Sequence, residues 1–158
     1  MSYTALSVAR SRRGWTGREL DLSGIDDVDE LGDLLRDESD DGGTVLMLLE
    51  EDDEYVAVVR VEPDGEPVVF LSDRRAAAGS AIARVLAEAD VDLPDPDDET
   101  TRPAAEPTGD PGLLADLGTP GDRLLSLCAE EGLLPGDVIA AVAEDCGFLD
   151  VVEEVRGA

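Results

Sequence analysis

The residue types that could do chemistry in this chain of 158 residues are either missing or spaced so as to defeat each chemistry they suggest. The chain contains no histidine, which removes Ser-His and Cys-His catalysis, histidine-ligated zinc and the usual neutral-pH general base. It contains no lysine either, so Schiff-base chemistry and the lysine of a Walker phosphate loop are missing. Cys128 and Cys146 lie 18 positions apart among apolar neighbours and read as buried, reduced thiols rather than a disulfide or redox pair. Asp37, Ser39, Asp41 and Gly42 stand at the offsets of the early ligands and turn glycine of a calcium loop. The twelfth position is Leu48, however, where that loop needs a bidentate glutamate, so the metal reading fails. Carboxylates are so abundant that no pair stands out as an acid and base. The sequence therefore assigns no catalytic, cofactor-binding or metal-binding residue, and it reads as a protein that is not an enzyme and needs no cofactor.

Charge narrows the class of partner. Against 39 acidic residues stand 12 basic ones, all arginine, for a net charge of -27. Such a chain repels phosphate, so direct binding to nucleic acid or to an anionic membrane is not expected, and a basic protein is the favoured partner. The one basic cluster, Arg10, Arg12, Arg13 and Arg18, reads as a solvated hairpin tip among acidic neighbours. Residues 1–5 have no signal-peptide character and no later run reaches bilayer length, which points to the cytoplasm.

The elements that must carry these residues centre on Thr44 to Ser72. Thr44 to Leu49, Tyr55 to Val61 and Val68 to Leu71 are short continuous apolar runs, separated by Glu50 to Glu54 and by Pro63-Asp64-Gly65-Glu66. They read as an antiparallel meander buried on both faces. Tyr3 to Ala9 and Trp15 to Leu20 predict a preceding hairpin, with Trp15 packed on the sheet. Ile25, Val28, Leu31 and Leu35 recur at helical spacing behind an acidic first turn. Ser72-Asp73 is expected to cap a helix running from about 74 to 89, with Ala78, Ala81, Ile82, Val85, Leu86 and Ala89 on its apolar stripe. The fold class is α+β: a sheet of about five strands in β-β-α-β-β-β-α order, one helix covering each face. This order resembles profilin-like and longin-like domains, a likeness of topology that carries no function.

Residues 91–111 hold five of the nine prolines and read as a flexible linker between a sheet domain, 1–90, and a helical segment, 112–158. In that segment Thr119-Pro120-Gly121-Asp122 predicts an N-cap, with Leu124, Leu127 and Cys128 behind it. Pro135 starts a second helix carrying Val138, Ile139, Val142 and Cys146, and Gly147 ends it. Phe148 to Val155 forms a last one. So small a segment cannot enclose its own apolar residues and must dock, most simply on its own sheet.

Asp116-Leu117-Gly118-Thr119-Pro120, Leu124 to Gly132, Gly43 to Leu46 and Phe70 to Asp73 together resemble the tRNA adenosine deaminase-associated protein family. The resemblance implies an accessory or regulatory protein linked to tRNA editing, working through protein-protein contact with the deaminase. Asp122, Glu130, Glu131 and Asp137 are the expected partner-contact residues, on the acidic outer face of the helical segment. A small-ligand-sensing α+β domain and a structural homodimer are the alternative readings.

Overall fold

The computed structural model describes residues 3–12, 14–39, 43–51, 54–63, 65–74, 80–88, 107–130 and 133–157. Strands β1 (Tyr3–Ser11) and β2 (Gly14–Glu19) form the expected hairpin, with Leu6 opposite Glu19 and Arg10 opposite Trp15. Helix α1 (Val28–Arg36) follows, capped by the Asp27 carboxylate, which accepts from the Glu30 amide at 2.8 Å. The meander is β3 (Val45–Glu51), β4 (Tyr55–Val61) and β5 (Val68–Leu71), and β3 pairs with β1 on its other side.

The expected strand count is corrected. The sheet has six strands, in the order β2-β1-β3-β4-β5-β6, because Thr108–Gly109 forms a short β6 against Phe70 and Leu71. That pairing lies inside the stretch read as linker; a two-residue strand leaves no apolar run to recognise. Gly109 has φ +92°, and a Cβ there would collide with the Val69 carbonyl, so glycine is what lets the chain close on the edge of β5. The rest of the expected linker, 91–106, lies outside the described residues. The helix after β5 is also not continuous: Ser80 adopts extended backbone and caps α2 (Ala81–Leu86) by accepting from the Ala83 amide. Ser72, the expected cap, instead accepts from the Val56 amide across the sheet. Residues 75–79 are not described.

Alternation along β3 and β4 divides the interior into two layers. Met47, Leu49, Ala57 and Val59 point to one side, where Leu31 and Leu35 of α1 and Ala83 and Leu86 of α2 cover them. Leu46, Leu48, Val56, Val58 and Phe70 point to the other. Here the expectation of one helix per face is overturned: α1 and α2 share a face, and the opposite face is covered by the C-terminal segment. That segment comprises a 3-10 turn (Ala115–Leu117) and helices α3 (Gly121–Ala129), α4 (Pro135–Cys146) and α5 (Leu149–Gly157). Leu114, Leu124, Ile139, Val142, Phe148 and Val152 from this segment close the second core. Docking is thus intramolecular, as the excess of apolar surface demands. Gly147 ends α4 with φ +87° as expected, its amide donating to the Ala143 carbonyl at 2.9 Å.

Leu48 lies at the centre of the second layer, fully buried between Leu6 and Val58 on the neighbouring strands. Leu48→Asp places an unpaired carboxylate there and is expected to cost on the order of 4 kcal/mol or more. Urea unfolding followed by circular dichroism should show the cooperative transition lost or moved far down; a wild-type midpoint would contradict this layering.

Candidate functional site

The motif Asp116 to Pro120, one carrier of the family resemblance, proves to be the joint that seats the C-terminal segment. Arg60, on β4, reaches from the sheet to it: its guanidinium donates to both Asp116 carboxylate oxygens, at 2.5 and 2.9 Å, and to the Leu113 carbonyl at 2.7 Å. Glu62 accepts from the same guanidinium at 2.7 Å. The Arg60 contact, chiefly by hydrogen bonding, holds the Asp116 carboxyl below the usual carboxylate range and raises Arg60 in turn. Gly118 has φ +134°, and a Cβ there would strike the Asp145 carbonyl, so α4 packs directly on its backbone. Thr119 does not serve as the expected N-cap: α3 starts at Gly121 without a side-chain cap. The Thr119 hydroxyl is instead fully buried 3.3 Å from Cys146 Sγ, because the docked α4 brings the thiol to it.

At the far end of the same face Arg156, from α5, donates to Glu50 Oε1 at 3.2 Å and to the Gly136 carbonyl at 3.4 Å. Leu46 pairs with Arg60, and Glu50 lies four residues further along β3, so the two latches stand about 13 Å apart along the strand. A third tie is aromatic. Trp15 packs edge-on against Phe148 with ring centroids 5.0 Å apart, and the Arg10 guanidinium lies 5.8 Å from the indole. Arg18 pairs with Glu38 at 3.2 Å, so this much of the arginine cluster is used internally, as a tip among acidic neighbours. Arg13 lies outside the described residues.

Of the expected contact residues, Asp122, Glu130 and Asp137 are exposed. Asp122 is exposed in the first turn of α3 and Glu130 just past its last turn, about 12 Å along the helix. Asp137 sits in the first turn of α4, where its Oδ2 accepts from the Leu134 amide at 3.1 Å; it is a capping group as well as a surface charge. Glu131 lies outside the described residues, as do Asp41 and Gly42 of the calcium-like loop. What sequence reasoning missed are two clefts flanking α5. One, about 540 Å³, is lined by Glu50, Gly136, Asp137, Leu149 and Arg156 among others. The other, about 500 Å³, lies between α5 and β2 and is lined by Trp15, Gly17, Glu19, Val151, Glu154 and Val155 among others. The buried set Glu51, Tyr55 and Ser80 was missed as well. Tyr55 Oη donates to Glu51 Oε1 at 2.7 Å and lies 3.1 Å from Ser80 Oγ, tying α2 to the end of β3. The acidic run places Glu51 in a turn, whereas β3 runs through it. Among the described residues no helix is long and apolar enough to cross a membrane, and no three His, Cys, Asp or Glu side chains converge as metal donors.

Fold and surface define a layered α+β protein that presents an acidic exterior and open clefts around its last helix. Comparison with known families is more specific: the chain belongs to the Rv3753c-like tRNA adenosine deaminase-associated protein family, whose model matches residues 3–149. A curated relative, Protein Rv3753c of Mycobacterium tuberculosis (strain ATCC 25618 / H37Rv), is 35% identical over 114 residues, which cover 72% of this chain. They cover 64% of the relative, so the match spans less than two thirds of that protein's length. No solved structure matches the chain significantly.

Two measurements test the joint. Burial pushes the half-buried Cys128 thiol up to about 11 and raises Cys146 as well, while both are free. At pH 8 the thiolate fraction of Cys128 is then about one in a thousand. A disulfide reagent should modify both thiols quickly in denaturant and slowly in the native protein; fast native reaction would remove them from the core. Because the Asp116 pKa is lowered by folding, its contribution to stability is whole above about pH 4 and is lost as the pH falls through the folded value. Asp116→Asn should therefore melt below wild type at pH 7, with the difference shrinking on acidification; a difference independent of pH would assign the effect to something other than the ion pair.

Proposed function

We propose that this protein is a non-catalytic accessory factor of a tRNA adenosine deaminase, working in the cytoplasm through contact with a basic surface of that enzyme. Membership of a family described as deaminase-associated is the observation that carries the reading. The deamination itself needs a zinc held by His and Cys ligands together with a glutamate acting as acid and base. This chain has no histidine, and its two cysteines are engaged in the core, which supports an accessory rather than a catalytic part.

Charge supports the mode of contact. An enzyme that binds tRNA must present cationic surface to phosphate, and a chain of net charge -27 is complementary to that surface. Such complementarity accelerates encounter and competes with RNA for the same ground. The exposed carboxylates of Asp122 and Glu130, with Glu131 beside them in sequence, are the residues proposed to meet it; Asp137 is accessible too, but its capping bond makes it a poor test position.

The purified chain should bind the deaminase of its own organism, and affinity should fall about tenfold or more as salt is raised from about 50 to 300 mM. Replacing Asp122, Glu130 and Glu131 by arginine should weaken that complex while leaving the melting temperature near wild type. Titration calorimetry reads both effects, and absence of binding at the lowest salt would overturn the proposal.

A further inference from the structure

β2 is an outer strand of the sheet, and the hydrogen bonds of its neighbours reveal which of its backbone groups are open. The Leu20 amide donates to the Ala5 carbonyl at 2.8 Å, so Leu20 faces β1. The Arg10 amide donates to the Thr44 carbonyl at 2.9 Å, away from β2, so Trp15 opposite it turns the other way. Both observations give the same phase: residues of an antiparallel pair alternate between facing their partner and facing away. Gly14, Thr16 and Arg18 therefore bond to β1, while Trp15, Gly17 and Glu19 turn their N–H and C=O groups outward. Among the described residues no strand pairs with that outer edge.

The open edge has a side wall. Glu19 and Gly17 stand opposite Leu6 and Val8, which belong to the core beneath α5. Hence the same residues that open their backbone outward face the helix, and with half-buried Val151 and Val155 they line the cleft of about 500 Å³. Gly17 sets the closeness of this wall: a Cβ there would lie 2.5 Å from Val151 Cγ1 and 3.4 Å from Val155 Cγ2. The lining charges are Glu19 and Glu154 against Arg18, and Arg18 is already paired with Glu38.

We propose that this edge is a β-augmentation site for an extended cationic segment of a partner protein. An added strand finds three residues of unpaired main chain on β2, apolar contact at Trp15, Val151 and Val155, and the carboxylates of Glu19 and Glu154 for its arginines or lysines. Charge decides the occupant: two copies of a chain carrying -27 repel along such a seam, whereas a basic segment is drawn to it. The proposal rests on the partner being basic, as inferred above, and adds where and in what conformation it binds.

The test uses the full chain and a synthetic decapeptide of alternating arginine and valine. Amide exchange followed by NMR should show Trp15, Gly17 and Glu19 slowed about tenfold or more on adding peptide, while Thr16 and Arg18, already bonded to β1, change little. Glu19→Pro removes an outward donor and leaves the bonds to β1 in place, so peptide affinity should fall about tenfold in fluorescence anisotropy. Should this variant fail to fold, the exchange experiment on the native chain decides alone. A peptide of equal charge with prolines in place of valines should bind much more weakly; equal binding would show charge attraction without strand addition and overturn the proposal. Outward amides already slow in the free protein would also overturn it, by showing the edge occupied by the chain itself or by a second copy. Equal binding of the deaminase to wild type and Glu19→Pro would sink this edge and leave the accessory function standing. Strand addition by the peptide without any deaminase binding would do the reverse.

Discussion

Two-sided burial of β3 and β4 is the constraint on which the rest of the structure depends. Leu46, Leu48, Val56 and Val58 point one way, Met47, Leu49, Ala57 and Val59 the other, and all are essentially inaccessible to solvent. Each such side chain exposed to water would forfeit roughly 1 to 3 kcal/mol of transfer free energy, so neither face of the sheet can stand open. Helices α1 and α2 supply only one cover. The second cover has to come from residues beyond the meander, which is why the C-terminal segment is an integral layer of the fold although a proline-rich stretch precedes it.

Apolar contact drives that docking, and polar contacts set its position. Arg60 with Asp116 and Glu50 with Arg156 are partly exposed pairs, and pairs of that kind contribute little net stability. Lying at opposite ends of the face, they act instead to fix how the helices lie across the strands. Gly118 and Thr119 complete the definition at one end, where α4 touches the chain backbone and Cys146 meets a buried hydroxyl. Of the residues that carry the family resemblance, Asp116, Gly118 and Thr119 are packing residues, and their chemistry is that of a joint. Function must be sought on what the docking leaves outside.

What it leaves is an acidic exterior and asymmetric sheet edges. β6 covers part of β5 at one end of the sheet, while among the described residues β2 at the other pairs on one side only. Wedging of α5 against β2 through Gly17 turns that edge into the wall of a cleft. The accessory role proposed above, exercised through main chain and charge, calls for none of the conspicuous side-chain motifs by which catalytic sites are recognised.

The amino-acid sequence by itself determined the hairpin, the meander, α1 and the three C-terminal helices, because each is written in local apolar periodicity bounded by proline, glycine or acidic turns. It determined the acidic balance and the lack of histidine and lysine, which need no structure. It also implied that the helical segment docks, since Leu124, Leu127, Val138, Ile139, Val142, Leu149 and Val152 are more than so small a cluster can enclose. Only the tertiary structure decided which face that segment covers, that α1 and α2 lie together, that Thr119 meets Cys146, and that Thr108 and Gly109 extend the sheet. These are contacts between residues tens of positions apart, such as Arg60 with Asp116, and no local period encodes them. The outward phase of Trp15, Gly17 and Glu19 belongs to the same class: alternation along β2 is a local property, but which half faces β1 is set by register, and register exists only once the strands have paired.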